Sequence, residues 1–453
     1  MENDIEDKLF YSFEKKIEKF KKNPKQYHFK IEDRIIRQVY NSAQSFFIYF
    51  LIALVLNILG FILFNLAEDK SDITSLLAIS CLFLTVATRN YSVNYFLFHT
   101  LGNLVKNYLL DQLANKIGFL HRFMAISTLF WTYLHFSFTD TNNLLKNSLI
   151  LILIFLLIII LTAFAGFRRK HHDIFENIHR YLGYTTIFIL IVYYFKLNSL
   201  NGLAIADIVT KPHFILLTFI VIMLITPWVG VKKIYPKLLH KNEHVIAIQI
   251  KGAPSFGTYS KISLANGQFH PFGDSIYDFD DMKNRTLYIT PSGDRTTKII
   301  NETNNGNFLL NECTIKKDRF HGFMYQSSRY NHILIVVTGG GIAPIIPCLA
   351  LNKKTKFDLL WIGRSQKKVF GKKLLNKVKD MISQRDIRLH ILDTTDDDLK
   401  RLTNKNYVSL AIKAYKHYNP EAVFIMSNQN LTVDMIHAFN ERSIRTYGAT
   451  FDS

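Results

Sequence analysis

Six apolar runs in the first half of the chain constrain its fold more than any other feature: Phe46–Ala67, Ile73–Thr88, Ile117–Phe138, Leu145–Phe167, Ile178–Phe195 and His213–Val231. The hydrocarbon core of a bilayer takes about 20 apolar residues of helix, and most of these runs approach that length. Backbone inside lipid has to bond to itself, so runs of this kind predict a bundle of six transmembrane helices. The second run is short and ends at Arg89, and Tyr91–Leu110 after it reads as an amphipathic helix along the interface. Residues 1–43 mix lysines with acids and read as a cytoplasmic helical segment. The first ten residues, MENDIEDKLF, are charged rather than apolar, so no cleaved signal peptide is expected.

The formal net charge is +19. Its lysines and arginines cluster beside the apolar runs, which favours anionic lipid as the partner over nucleic acid. Cys81, Cys313 and Cys348 are scattered and form no metal or redox spacing. Arg168-Arg169-Lys170 joins the fourth and fifth runs and Lys232-Lys233 follows the sixth, whereas Glu68-Asp69-Lys70-Ser71-Asp72 joins the first two. With an even number of spans, that pattern puts both termini and the polar second half in the cytoplasm, making this an integral membrane protein.

Histidines inside spans need a reason. His121 and His135 share the third span and one helix face, about 21 Å apart along the axis. His172 and His179 share a face near the fifth span. Pairs on facing helices can hold a haem, with His121 and His179 near the cytoplasmic side and His135 and His213 toward the outside. Histidines near helix ends also bind water or headgroups, and both readings stand. His171 reads as part of the basic loop.

From His244 the pattern turns to short alternating strands, Val245–Ile250, Leu287–Thr290 and Lys298–Ile300. Turns at Gly252-Ala253-Pro254, Asn266-Gly267 and Ser292-Gly293-Asp294 punctuate them, predicting a small antiparallel barrel. Near its centre Pro271, between His270 and Phe272, is expected to end a strand, and Phe269 and Phe272 offer apolar surface to a flat ring. Next comes Asn331-His332-Ile333-Leu334-Ile335-Val336-Val337-Thr338-Gly339-Gly340-Gly341-Ile342-Ala343-Pro344. It reads as a buried strand, a bare turn and a helix N-terminus with Pro344 in its first turn, together a cradle for a diphosphate. Phe357–Ile362 predicts a second buried strand, ending at Gly363-Arg364-Ser365. Arg364 and Ser365 there suit the 2′-phosphate of NADPH, the alternative being an ordinary exposed loop. Lys372–Ser383 predicts a helix, Arg388–Leu392 a strand, and Ala422–Ser427 the last apolar strand. The alternation predicts a parallel α/β lobe.

The order of these parts resembles the ferric reductase and NADPH oxidase superfamily, which passes electrons from NAD(P)H through FAD into a membrane domain. His270-Pro271-Phe272 matches its flavin motif and Gly339 to Pro344, following Thr338, its nicotinamide-nucleotide motif. Finer details resemble fungal TmpL-like integral membrane flavoproteins and the C-terminal part of some adenylate-forming reductases. They are Arg89-Asn90, Gly118 with His121, His172-Asp173-Ile174-Phe175-Glu176 with His179-Arg180-Tyr181, and the ending Tyr447 to Ser453. The resemblance implies FAD, NADPH or NADH, and possible haem held by His121 and His179, with His135 a further candidate. It sets Ser427 beside the nicotinamide and Phe451 over the flavin, the alternative for Phe451 being a packed tail. Two-haem members carry a further histidine in the fifth span where this chain has Tyr193, so the outer pair is broken unless His213 replaces it.

The expected organisation is therefore a cytoplasmic segment (1–43), a transmembrane helical domain (44–240), an FAD-binding antiparallel β-barrel (241–330) and an NAD(P)H-binding α/β lobe (331–453), the last two ferredoxin-reductase-like. The expected activity is electron transfer from NAD(P)H through FAD to an acceptor the sequence does not identify. Two alternatives stand beside it: a haem-containing ferric reductase or superoxide-generating oxidase, and a non-catalytic redox sensor. No nucleophilic triad supports a hydrolase.

Overall fold

The computed structural model describes residues 13–19, 21, 34–94, 113, 116–263, 269–291, 293–316, 320–383, 385, 387–395 and 402–449. The expected interfacial helix beyond Asn94, the Asn266-Gly267 turn and Phe451 lie outside the described residues. The chain forms two compact units, one of residues 42–229 and one of residues 1–41 with 230–453.

Each of the six apolar runs is helical: α1 Arg34–Leu66, α2 Lys70–Ala87, α3 Gly118–Phe138, α4 Asn143–Thr162, α5 His172–Leu200 and α6 Pro212–Ile225. Three stretches, Ser45–Leu66, Lys70–Ala87 and Asn143–Thr162, are long and apolar enough to cross a membrane. Helix α6 is only 14 residues long, and α3 and α5 carry ionisable groups, so the six-span expectation reaches further than these three helices. The fourth run also breaks at Phe164, where a separate turn of helix, Ala165–Lys170, begins.

Local chemistry sets the helix ends. Asp69 accepts the Asp72 amide at 2.9 Å to open α2, and Asn142 accepts the Leu145 amide at 3.0 Å to open α4, each satisfying one orphan donor. The Lys70 ammonium closes α1, donating to the carbonyls of Phe64 at 2.5 Å and Ala67 at 2.8 Å, where the helix has no acceptors' partners of its own. Inside, Gly60 lets the α1 backbone approach Trp131, because a Cβ there would lie 2.8 Å from the indole. Outside, Val55, Ile58 and Leu59 on α1 and Ile154, Leu157 and Leu161 on α4 are exposed.

The second unit opens with an antiparallel sheet of eight strands. They are β1 Val231–Ile234, β2 Lys237–Lys241, β3 Ile246–Lys251, β4 Thr258–Ser263, β5 Phe269–Ser275, β6 Asn284–Ile289, β7 Cys313–Lys316 and β8 Phe320–His321. Its order, β1-β7-β4-β5-β6-β3-β2 with β8 on β4, leaves two open edges among the described residues, so the expected barrel is a half-barrel. The helical unit ends at Val229, not 240, because Val231–Ile234 pairs with β7. The expected strand Lys298–Ile300 is instead part of helix α7, Asp294–Asn304. Ile299, Ile300 and Thr303 are buried there, a helical spacing that a three-residue window reads as a strand. Nor does Pro271 end a strand: it sits inside β5 opposite Lys261. Among the described residues β5 pairs with β6 only at Asp274 and Ser275, so Pro271 has a strand partner on one side alone, where a proline is tolerated.

A parallel five-stranded sheet follows, in the order β11-β10-β9-β12-β13. Its strands are β9 His332–Thr338, β10 Lys356–Gly363, β11 Ile387–Asp393, β12 Ala422–Met426 and β13 Thr446–Gly448. Residues 333–337 of β9 are at most 1% exposed, as a central strand covered on both faces requires. The strand at Thr446–Gly448 was not expected. It pairs with β12, and Tyr447 stacks on Phe424 with ring centroids 4.7 Å apart. The expected helix at Lys372–Ser383 belongs to a longer α9, Gln366–Ser383 (α8 being Ile346–Leu351), which breaks at Gly371 where φ is 79°. Residues 13–19 form a short helix whose Phe13 and Ile17 join the core of this sheet beside Leu334, Val408 and Val423.

Candidate functional site

The two motifs read from the sequence meet. A Cβ at Gly273, directly after His270-Pro271-Phe272, would lie 2.4 Å from Cβ of Pro344. The Ser275 hydroxyl donates to the Ala343 carbonyl at 2.6 Å. The end of β5 and the glycine-rich turn are thus one surface.

Each glycine in that turn has its own reason. Gly339 has φ 50° with open space where a side chain would stand. Gly340 leaves room for Thr290, whose Cγ2 would be 2.6 Å from an added Cβ, and Gly341 for the Met426 carbonyl, also at 2.6 Å. The turn is a 3-10 helix, Gly339–Ile345, with Pro344 inside it rather than in the first turn of an α-helix. Only then does α8 begin. The cradle is therefore a tight turn with an uncovered glycine, and the expected helix N-terminus lies further on. The Trp361 indole fixes it by donating to the Gly339 carbonyl at 3.2 Å.

The turn lies at the carboxyl end of β9, where the strand order reverses between β10 and β12 and open α/β sheets take their ligands. At that end the hydroxyls of Thr338 and Ser427 are 2.6 Å apart. One strand away Arg364 is exposed. Ser365 adopts φ 45° and its amide donates to the Asp393 carboxylate at 3.0 Å and the Thr395 hydroxyl at 3.1 Å. Burial alone would raise the Asp393 pKa, but hydrogen bonds from the Thr395 hydroxyl and the Ser365 and Thr395 amides outweigh it and hold the carboxyl below its ordinary value. An anionic group thus stands beside the residues expected to meet a phosphate. Sequence reading missed Asp393, which only the sheet brings next to Ser365.

On the half-barrel side, His270 Nε2 lies 3.4 Å from the Arg295 guanidinium, which projects from the first turn of α7. The Gly293 amide donates to the Thr296 hydroxyl at 3.1 Å, so a Gly-x-x-Thr helix start was the signal available for Arg295. Phe272 packs partly into the half-barrel core, and Lys316 sits over the Phe269 ring at 4.9 Å. Neither phenylalanine is a bare platform. Beneath them Asp274 is 1% exposed. It accepts from Thr258 at 2.9 Å and Ser260 at 2.6 Å and faces Arg285 at 3.4 Å. Burial holds the Lys261 ammonium below its ordinary pKa.

In the helical unit the structure brings His121 and His179 together, with ring centroids 6.1 Å apart. His121 Nδ1 donates to the Thr85 carbonyl at 2.8 Å, and His179 Nδ1 is buried with no hydrogen-bond partner. The Arg89 guanidinium packs on Gly118, one helical turn before His121, where a Cβ would lie 2.9 Å from Nη2. His135 is separate: Nδ1 bonds the Ser71 carbonyl at 3.0 Å and Nε2 the Tyr193 hydroxyl at 2.8 Å. Both its nitrogens are taken, so it offers a metal no free lone pair. Among the described residues no cluster of three or more His, Cys, Asp or Glu could hold a metal ion.

A half-barrel and a parallel sheet thus meet at a glycine-rich turn. Residues 323–453 match the family model for the C-terminal domain of Adenylate-forming reductase 03009. Adenylate-forming reductase 06235 of Coprinopsis cinerea is 28% identical over 308 residues, covering 66% of this chain and 28% of that protein. Adenylate-forming reductase 03009 of the same fungus is 27% identical over 352 residues, covering 74% of this chain and 32% of that protein. The chain thus spans only about a third or less of these relatives. Among solved structures, phthalate dioxygenase reductase aligns at TM-score 0.35 and 14% identity over 49% of this chain and 68% of that one. A flavohemoglobin from Malassezia yamatoensis aligns at 0.39 and 13%, over 83% of this chain and 98% of that one.

Proposed function

We propose that this protein is a membrane-bound oxidoreductase that passes electrons from NADH or NADPH through FAD to an acceptor, and that it resembles the ferric reductase and NADPH oxidase superfamily in this. The observation that carries the reading is the contact of Gly273 and Ser275 with Pro344 and Ala343, which sets the His-Pro-Phe strand and the glycine-rich turn side by side. The printed names of the relatives, reductases both, agree with it. The exposed aliphatic side chains of α1 and α4 suit a lipid surround, since water leaves so much contiguous apolar surface unstable.

When bound, the flavin and the nicotinamide supply hydride and electron transfer. The protein's part is positional. Gly339 keeps side chains off the turn where the dinucleotide diphosphate would lie, and Gly340 and Gly341 let the turn close on Thr290 and Met426. Ser427, held by Thr338, is the polar group for the nicotinamide amide, and Arg364 with Ser365 meets the adenosine ribose or its 2′-phosphate. His270 and Arg295 supply cationic and hydrogen-bonding groups for the flavin diphosphate, while Pro271 and Phe272 shape the edge of β5 under the ring. Phe451 in this proposal covers the flavin.

The test is anaerobic mixing of the purified, FAD-loaded chain with NADH or NADPH. Rapid bleaching of the yellow band is expected in the native protein. Gly339→Asn keeps a residue that tolerates positive φ but places a side chain in the open space. It should slow bleaching about a hundredfold while FAD stays bound. Loss of FAD together with bleaching sinks the assignment of the lobe, and an unreduced native flavin favours the redox-sensing alternative.

A second reading adds haem. The His121 pair fits that group in one respect: its Nδ1–H is spent on a carbonyl, the arrangement that orients ligating histidines, which leaves Nε2 with a lone pair beside the orphaned His179. His121 and His179 would hold the iron, and no role falls to His135. A sharp visible band in the purified protein, lost in His121→Ala and in His179→Ala, is expected. Its absence removes haem without touching the flavin reading.

A further inference from the structure

Residues 13–19 form a helix on the sheet of the nucleotide lobe, and Lys21 beyond them is helical as well. Phe13 and Ile17 stand four residues apart, which puts them on one face of the helix, and both are buried in a core shared with Leu392 of β11. Lys21 continues that spacing. The face turned to the sheet thus carries two apolar side chains and then a lysine whose side chain is 32% exposed, while Lys15, Lys16 and Lys19 are exposed.

The helix follows β11 toward that strand's carboxyl end. Its start is fixed at His390, which Glu14 hydrogen-bonds and whose ring meets Phe13 with centroids 4.9 Å apart. From Phe13 to Lys21 the helix rises about 12 Å, and from His390 to Asp393 the strand climbs about 10 Å. Lys21 therefore comes level with Asp393, the last residue of β11. The electrostatics agree. Burial would raise the Asp393 pKa, and the Lys21 charge is among the influences, with the bonds from Thr395 and Ser365, that lower it.

Asp393 in turn lies opposite Gly363 in the sheet and accepts the Ser365 amide at 3.0 Å. Lys21 thus stands at the strand ends that carry Arg364 and Ser365. A phosphate arriving there meets the Asp393 carboxylate, which repels it, and the exposed Arg364, which attracts it. Lys21 adds a second attraction. Its ion pair with Glu18, at 2.7 Å, is with a side chain 57% exposed, so water screens that bond and it competes weakly with a phosphate dianion.

We propose that Lys21 is a specificity-determining residue of the nucleotide site, supplied by the N-terminal segment: with Arg364 it provides the positive charge that a 2′-phosphate on the adenosine ribose needs beside Asp393. The inference rests on the electron-transfer reading and on its placement of Arg364 and Ser365 at that ribose. It gives the segment before the first apolar helix a part in choosing between NADPH and NADH.

Calorimetry on the FAD-loaded full chain in lipid nanodiscs tests it with NAD+ and NADP+, which differ only in the 2′-phosphate and do not reduce a flavin. In Lys21→Gln the ratio of NADP+ to NAD+ affinity should fall about fivefold, the upper worth of a partly exposed ion pair. Lys21→Arg keeps the charge and should keep the native ratio. Glu18→Gln removes the competing carboxylate and should raise it. An unchanged ratio in Lys21→Gln overturns the proposal, and so does an equal loss of affinity for both nucleotides, which marks a structural role for the helix. A ratio that Lys21→Arg lowers as far as Lys21→Gln, or a native chain that binds NAD+ alone, overturns it too. Where the native chain binds both nucleotides and NADPH bleaches its flavin, only this inference falls; a native chain that binds neither nucleotide ends the electron-transfer reading with it.

Discussion

At the scale of single residues, Asp393 carries the sharpest consequence. Its carboxylate accepts the Ser365 amide at 3.0 Å, close to where a 2′-phosphate would sit, and like charges at such range repel. Arg364 pulls the other way, so the pair sets the nucleotide preference. Asp393→Asn keeps the acceptor oxygen and removes the charge. The ratio of kcat/KM for NADPH to that for NADH should rise about tenfold, some 1.4 kcal/mol in the transition state; an unchanged ratio would put the ribose elsewhere. The depressed pKa gives a second reading of the same residue. The stability it lends is present above the ordinary carboxylate value of 3.8 and is lost as pH falls through the lower folded value. The Asn variant should show less acid sensitivity in that window. Cysteines supply a contrasting case. Burial pushes the Cys348 thiol up to about 12 and Cys313 up to about 11. Native Cys348 should react with iodoacetamide about a thousandfold more slowly than a free thiol near pH 8, since only the thiolate attacks. Mass spectrometry before and after unfolding checks it.

At the scale of elements, the buried pair under β5 has the largest energetic stake. Asp274 and Arg285 are almost fully buried and 3.4 Å apart. Asp274→Ala removes the buried carboxylate that faces the Arg285 guanidinium, a change that costs about 3–5 kcal/mol. It should release FAD along with stability, because β5 carries His270 and abuts the glycine turn. Denaturant unfolding with flavin fluorescence separates this from a local effect. The short helix at residues 13–19 is a second case. Phe13 is fully buried, against His390, Tyr418 and His417, and Glu14 bonds His390 at 2.5 Å. Phe13→Ala should raise hydrogen exchange across residues 13–19 and 408–418, by up to the roughly 3 kcal/mol that a buried ring contributes.

These elements also mark how far the sequence could be read. Strands β9, β10, β11 and β12 and the glycine turn were legible, because long aliphatic runs and glycines act locally. Lys298–Ile300 was misread since three residues cannot distinguish a period of 2 from 3.6. The strand at Thr446–Gly448 is too short and too polar to announce itself, and exists because β12 offers it an edge. Pro271 was expected to break a strand, yet a one-sided partner tolerates it. His121 and His179 were read as a possible haem pair, with water or headgroup binding as the alternative, and their ring centroids lie 6.1 Å apart. The bond between His135 and Tyr193 and the approach of Asp393 to Ser365 are products of packing, and no local pattern encodes them.

At the scale of the whole molecule, the open question of orientation has a direct physical handle. Positive residues gather at Arg168 to Lys170 and at Lys232 and Lys233, whereas Asp140 stands in the loop between α3 and α4 with its side chain fully exposed. If all six helices cross the bilayer, these positions lie on opposite sides, with the lysines and arginines facing the anionic cytoplasmic leaflet. Lys170 is exposed too, so both sites accept a probe. Cys81 and the two cysteines discussed above are buried, which gives a quiet background without removing them. In intact cells a membrane-impermeant maleimide should label Asp140→Cys at once and Lys170→Cys only after permeabilisation. Labelling of both from the same side would mean that α4 does not cross, leaving a bundle built on fewer than six spans. The nucleotide lobe would then have to be placed again by the same method from Lys232→Cys.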